Sequence, residues 1–162
     1  MREAILPTLI LLFAQFVPGQ TAPAGWKVVK DSKSLCQIAV PSEWTPLGEN
    51  SGAAVFKDST TGIAVVTSQP GQAFKPLPES IVRALELPKD KMFENSTKRV
   101  FYQDRTGHGP EETSAMSASV PRKDGTCSCH VQFVPSVGED VAKKIALSLG
   151  PVPDETVAAA LR

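Results

Sequence analysis

The residues best suited to chemistry in this chain are three cysteines and one histidine, in the string Cys127-Ser128-Cys129-His130 and at Cys36. Thiolates and imidazoles bind metal ions, and a thiolate can also act as a nucleophile or redox group. Residues two apart on an extended strand share a face, with Cα atoms about 6.6 Å apart, whereas disulfides usually join Cα atoms about 5.5–6 Å apart. Cys127 and Cys129 are therefore predicted to be poor partners for each other.

Side-chain alternation predicts which way the sulfurs point. Cys36 shares its strand face with Ile38 and Val40. Cys127 and Cys129 share theirs with the apolar residues further along the same strand. All three thiols are thus expected to face one core. In an oxidising compartment this arrangement favours a single disulfide, of Cys36 with either Cys127 or Cys129.

Two other interpretations of the cysteines remain open. The thiols could be buried and unpaired, as small apolar side chains. Alternatively, Cys36, Cys127 and Cys129 could form a thiol redox centre or bind a metal ion. Zinc sites use C-x₂₋₄-C pairs, however, and alternation puts His130 on the opposite face from the sulfurs. The sequence therefore predicts no metal ligands, with the three cysteines as the candidates if a metal is bound.

No catalytic residues and no cofactor are predicted. His108 lies between glycines beside Glu111 and Glu112, which is typical of a charged loop. A Cys–His pair formed by Cys129 with either histidine would lack a third group to orient the base. The chain has no nucleophile-elbow, metalloprotease, phosphate-loop or dinucleotide motif.

Two tryptophans and one glycosylation sequon complete the candidate residues. Trp26 and Trp44 are expected in the core or at its edge, and exposure of both would instead mark a binding patch. Asn95-Ser96-Thr97 is an acceptor for N-linked glycans only in a eukaryotic secretory pathway.

The N-terminal segment predicts export. Residues 4–17 form an apolar block of a length suited to a signal peptide, followed by cleavage points after Gly19 and after Ala24. We assign 1–24 to the signal peptide, 25–150 to one domain and 151–162 to a C-terminal tail that could fray. The protein is expected to be periplasmic or extracellular.

Charge argues against a nucleic-acid partner, and hydropathy argues against a membrane span. Seventeen Lys and Arg balance seventeen Asp and Glu, which argues against nucleic acid, because such binding rewards a basic excess. No apolar stretch reaches the eighteen or so residues of a membrane span, so no span is expected after signal cleavage.

Hydrophobic periodicity predicts an α+β fold. Short alternating segments predict about six to seven strands in a mainly antiparallel sheet, with a tight hairpin at Asp124-Gly125. Two main helices are predicted, over 78–87 and over 138–149, the second with Ser136 as the N-cap of a capping box.

Two segments resemble PsbP-like domains. Residues 37–44 (QIAVPSEW) resemble the opening strand of those domains, and residues 142–149 (AKKIALSL) are similar to their final helix. The resemblance implies a PsbP-like sandwich and a noncatalytic binding or accessory role, and it carries over no functional residues. We therefore predict an exported binding or accessory protein for an unknown protein or small molecule. The alternative is a thiol-based redox or metal-binding protein that uses Cys36, Cys127 and Cys129.

Overall fold

A computed structural model describes residues 22–49, 51–57, 61–106 and 113–154. The predicted signal peptide up to residue 21, the loop that holds His108, and the end of the predicted tail from residue 155 lie outside these ranges. Within the described ranges, no helix is both long enough and apolar enough to cross a membrane.

The described residues form ten strands and two α-helices, which confirms the predicted α+β class. The strands are β1 (Trp26–Lys30), β2 (Cys36–Pro41), β3 (Thr45–Pro46), β4 (Ala53–Val55), β5 (Gly62–Pro70), β6 (Met92–Asn95), β7 (Val100–Thr106), β8 (Thr113–Arg122), β9 (Gly125–Phe133) and β10 (Gly150–Pro151). The helices are α1 (Glu79–Ala84) and α2 (Glu139–Leu147), with a single 3-10 turn at Lys89–Lys91.

The strands form two antiparallel sheets. The large sheet has seven strands in the order β3-β4-β5-β9-β8-β7-β6, so β9 and β8 are central. The small sheet has three strands in the order β1-β2-β10. Strand β10 follows α2 and pairs with β2. Its second residue, Pro151, belongs to the predicted tail 151–162, so the small sheet includes the first residue of that segment.

The hydrophobic core lies between one face of the large sheet and a second layer made of β2 and α2. On the large sheet, Met116, Val131 and Val66 are almost completely buried, because every second residue of a strand points to the same side. Helix α2 adds Ile145, and the small sheet adds Ile38. We call this side of the large sheet the core face and the opposite side the outer face.

A side chain of α2's final turn connects the helix to the small sheet. The Ser148 hydroxyl accepts a hydrogen bond from the backbone N–H of Ala39 at 2.7 Å. It also lies 2.6 Å from the carbonyl oxygen of Ile145, to which it donates. The end of α2 is thereby positioned against β2.

The predicted capping box is wrong. Helix α2 begins after Gly138, whose φ of 86° lies in the region that favours glycine, and no side chain caps it. Residues 135–137 form a turn in which the N–H of Val137 donates to the carbonyl of Val134. Because that turn comes between Ser136 and the helix, Ser136 lies too early to cap it.

The tight hairpin between β8 and β9 forms one residue earlier than predicted. Arg122 pairs with Gly125, so Lys123 and Asp124 make the two-residue loop. Gly125 belongs to β9 and has no positive φ. A Cβ atom there would collide with the backbone oxygen of Gln69 on β5, so the glycine permits close approach of two strands.

Candidate functional site

The outer face of the large sheet carries a row of hydroxyl side chains at its centre. Tyr102 on β7 lies opposite Ser117 on β8, and Ser119 lies opposite Ser128 on β9. Thr126 follows on β9 with the same orientation as Ser128. With the exception of Thr126, which is buried, these side chains are half-buried. Side-chain alternation on the three adjacent strands β7, β8 and β9 therefore produces a continuous polar strip.

One loop covers this strip and turns it into a cleft. We call residues 72–78, which connect β5 to α1, the strap. The Thr126 hydroxyl donates to the carbonyl of Gln72 at 2.8 Å. At the other end, the Asn95 side chain accepts from the N–H of Leu77 at 2.8 Å and donates to the carbonyl of the same residue at 3.0 Å. The strap is therefore held at both ends.

The cleft between strap and sheet has a volume of about 480 Å³. Phe74 and four other apolar residues of the strap line one wall, and the hydroxyl strip lines the other. The apolar strap residues are Ala73, Phe74, Pro76, Leu77 and Pro78, and the strip residues are Tyr102, Ser117, Ser119, Thr126 and Ser128. Among its described lining residues, Lys75 alone carries a formal charge, and that side chain is exposed. A cleft of this size and chemistry suits a small neutral molecule.

Two hydroxyls of the strip hydrogen-bond to each other, and a third contacts a histidine ring. Ser119 Oγ lies 2.9 Å from Ser128 Oγ, and either can donate. Ser117 Oγ lies 3.1 Å from Nδ1 of His130, the next outer-face residue of β9. A hydroxyl both donates and accepts, so each retains capacity for a ligand.

The pKa of His130 lies below its ordinary value. Burial lowers the pKa of His130, and the negative charge of Asp104 opposes part of that shift. The shift favours the neutral imidazole as the form that contacts Ser117.

The described residues around the Ser117–His130 contact supply only part of what a serine nucleophile requires. A nucleophilic serine needs a base oriented by a third group and an oxyanion hole. Asp104 acts on His130 through its charge, and within the described chain no hydrogen bond orients the second ring nitrogen. The backbone N–H groups around Ser117 are committed to the ladders of a central strand.

The cysteines lie on the core face of the large sheet and in the small sheet facing it. Of the two pairings that the sequence left open, the structure contains Cys36–Cys127, with Cα atoms 5.6 Å apart. Cys129 is free and buried, and its thiol lies 3.9 Å from the carbonyl oxygen of Ala146 in α2. Alternation thus brings all three sulfurs into the core.

The Cys129 thiol is a poor nucleophile. Burial raises its pKa to about 12, although a backbone hydrogen bond at Ala118 and the positive charge of Arg99 oppose that rise. The reactive form of cysteine is the thiolate, which is scarce at neutral pH for such a group. In the described ranges no three His, Cys, Asp or Glu side chains are grouped to hold a metal ion.

Asp31 organises the turn that leads to Cys36. Its carboxylate accepts hydrogen bonds from the backbone N–H groups of Leu35 at 2.7 Å and Cys36 at 2.8 Å. The Ser68 hydroxyl on β5 donates to it at 2.6 Å. Burial acts to raise the pKa of Asp31, but the hydrogen bonds from Ser68 and from three backbone N–H groups outweigh it and lower the pKa.

Both tryptophans belong to the core or its edge. Trp44 is 1% exposed, and its ring centroid lies 5.8 Å from that of Phe56. Trp26 is half-buried and packs against the core. The two residues therefore do not form an exposed patch.

Sequence reasoning missed the cleft, although part of its pattern is readable. Hydroxyl residues recur at every second position in Ser117 and Ser119, and again in Thr126 and Ser128. That spacing predicts a shared polar face on each strand. Asn95 positions the strap that encloses this face. In the sequence, Asn95 is recognisable only as the first residue of a glycosylation sequon.

No protein-family model matches this chain, and no curated protein is similar to it at a significant level. The PsbP-like resemblance therefore stays a prediction.

Proposed function

We propose that this protein is an exported, noncatalytic binding protein whose cleft holds a small neutral hydroxylated molecule, a class represented by mono- and disaccharides. The observation that carries the proposal is the hydroxyl strip beneath the strap. Its serine and tyrosine hydroxyls can donate to and accept from ligand hydroxyls, which suits ligands that do both.

The walls of the cleft favour a neutral ligand over an ion. Among the described lining residues only Lys75 is charged, and its side chain is exposed. An ion in the cleft would therefore lose water without gaining a buried opposite charge, which costs about several kcal/mol. Tyr102 and Phe74 supply aromatic surface for the apolar side of a ring. Polar groups on one wall and apolar groups on the other are the usual composition of a small-molecule site.

The test is binding of a panel of neutral sugars, measured by saturation-transfer NMR with the wild-type chain and two cleft variants. Ser119→Leu and Ser128→Leu place an apolar side chain in the cleft without touching the core face. We expect at least one sugar to bind saturably, and both variants to weaken it about tenfold or more, because ligand hydroxyls would lose their partners.

Ser80→Leu is the matched control, because Ser80 is exposed on α1 and does not line the cleft. This variant should bind as the wild type does. The absence of saturable binding by any neutral sugar at millimolar concentration would contradict the proposal. So would binding that both cleft variants leave unchanged.

Export is part of the proposal and is supported by the apolar N-terminal block and by the Cys36–Cys127 disulfide, which an oxidising compartment would preserve. Expression with the native N-terminus should yield a mature chain that begins at Gln20 or Gly25, read from its intact mass. An exported fraction with an uncleaved chain, or no exported fraction, would contradict it.

The PsbP-like relationship is proposed on the same residues as before, the opening strand over 37–44 and the closing helix over 142–149. An experimental structure superposed on PsbP-like domains tests it. The alternative function, thiol redox or metal binding through Cys36, Cys127 and Cys129, has no specific observation in its favour, since all three sulfurs are buried.

A further inference from the structure

A second cavity lies at one end of the molecule, where the large sheet and the second layer separate. Its volume is about 480 Å³. The large sheet contributes Val120 and Pro121 of β8, and the other layer contributes Leu149 with the two residues of β10. Val120 and Leu149 are only 6% and 1% exposed, so the cavity reaches the edge of the hydrophobic core. Apolar atoms therefore provide most of its wall.

Arg99 lies in this cavity on the core side of the large sheet. It immediately precedes β7, whose first residue, Val100, pairs with Ser119 on the outer face. Arg99 therefore points to the opposite side, like the buried Phe101 two residues later. Burial raises the pKa of Cys129, and the positive charge of Arg99 opposes that rise. The guanidinium is therefore close to the core.

One nitrogen of the partly buried Arg99 guanidinium has no hydrogen-bond partner among the described residues. Its Nε is completely buried and has no partner in the described structure. The Glu94 carboxylate forms a long ion pair with a terminal nitrogen of Arg99 at 3.9 Å, a distance too great for a hydrogen bond. Glu94 is itself held by the Ser96 hydroxyl at 2.7 Å. Buried donors are almost always satisfied, so this one requires an explanation.

We propose that this cavity binds a small apolar molecule that carries a carboxylate, such as a short fatty acid. The carboxylate accepts a forked pair of hydrogen bonds from the guanidinium of Arg99, which is the geometry that arginine favours. The hydrocarbon part packs against Val120, Leu149 and the prolines. Lys98 also lines the cavity. The charged residues of the lining are Lys98, Arg99 and Glu94, and their net charge is one positive charge.

This inference is independent of the proposed function. The cavity and the hydroxyl cleft share no lining residue, and the ligands differ in charge and polarity. A failure of one proposal therefore leaves the other standing.

The test compares three probes with the same eight-carbon chain, octanoate, 1-octanol and octylammonium, by titration calorimetry at neutral pH. We expect octanoate to bind most tightly and octylammonium most weakly, by at least about tenfold. Methyl NMR signals of Val120 and Leu149 should shift on octanoate addition. These measurements use the wild-type protein and do not depend on the folding of any variant.

Arg99→Met keeps a flexible, unbranched side chain and removes the charge and the hydrogen-bond donors. We expect it to bind octanoate at least about tenfold more weakly and to bind 1-octanol as before, whereas Arg99→Lys should keep part of the preference for octanoate. Arg83→Met, on the exposed surface of α1, is the matched control and should change nothing.

Three results would overturn the proposal. The first is octanoate binding that is no tighter than octylammonium binding. The second is an Arg99→Met protein that binds octanoate like the wild type. The third is a set of octanoate-induced shifts confined to the hydroxyl cleft, because the ligand would then occupy the other site.

Discussion

Cys36 and Cys127, which are 91 residues apart in the chain, are joined by a disulfide that connects the small sheet to the large sheet. Cys36 opens β2, and Cys127 lies on the core face of β9. The bond therefore crosses the core and links its two layers. Cys129, two residues further along the same face, remains a free thiol beneath α2.

Removing this disulfide should destabilise the protein considerably. A crosslink across a long loop reduces the entropy of the unfolded chain, and losing a native one in a small secreted domain typically costs about 2–5 kcal/mol. We expect Cys36→Ala/Cys127→Ala to lose that amount of unfolding free energy in urea. Cys129→Ala is the control and should lose about 1 kcal/mol, since it removes only one buried sulfur. Equal losses in the two proteins would contradict the structural role of the bond.

The number of free thiols follows from the same arrangement. Alkylation of the denatured, unreduced protein should add one adduct, on Cys129, and alkylation of the native protein should add none within minutes because that thiol is buried. Intact mass spectrometry reads both results. Three adducts on the denatured chain would show that the disulfide is absent, and rapid labelling of the native protein would favour the thiol-based alternative.

Asp31 should contribute stability that disappears in acid. Hydrogen bonds lower its pKa in the folded state, so the folded protein binds fewer protons than the unfolded chain near the ordinary pKa of about 3.9. The stabilisation is present above that pH and is lost as the pH falls from there through the lower pKa of the folded state. We expect Asp31→Asn to cost about 1–3 kcal/mol at pH 7, because a charged acceptor of backbone N–H groups is removed.

The difference between wild type and Asp31→Asn should shrink as the pH falls below about 4, as measured by urea unfolding at several pH values. Asp90→Asn is the matched control, because Asp90 is exposed and lies outside this network. A constant difference across the pH range would show that the charge of Asp31 is not what stabilises the turn.

His130 should make the fold less stable in mild acid. Its folded pKa lies below the ordinary value of about 6.5, so between those two values the unfolded chain binds more protons. The free energy of unfolding therefore rises with pH in that window. The stability that the uncharged His130 contributes is lost as the pH falls below about 6.5. His130→Gln should flatten this part of the stability curve, measured by thermal unfolding between pH 5 and 8, roughly the range in which histidine titrates.

A slope of stability against pH that is unchanged in His130→Gln would contradict this assignment. Ser117→Ala offers a second check, because the Ser117 hydroxyl contacts the imidazole but does not titrate in this range. This variant should retain the slope.

Local patterns were sufficient for much of the fold. The alternation around Cys36 and along β9 predicted that the three sulfurs face one core, since the period of a strand is two wherever the strand lies. The predicted capping box failed at Ser136 because a turn through Val137 intervenes, and that turn depends on backbone contacts that sequence spacing does not reveal. Short strands such as β10 were also missed, because two residues carry no periodic signal.

The amino-acid pattern alone was enough to determine the α+β class, the position of the central hairpin to within one residue, and the faces to which the cysteines belong, because these depend on residues close together in the chain. Only the tertiary structure decided that Cys127 pairs with Cys36, that Asn95 holds the strap over the serines, and that Arg99 and Leu149 line one cavity. Each of these depends on the approach of segments that are distant in the chain. Such distances are set by the packing of the two layers, which no local pattern encodes.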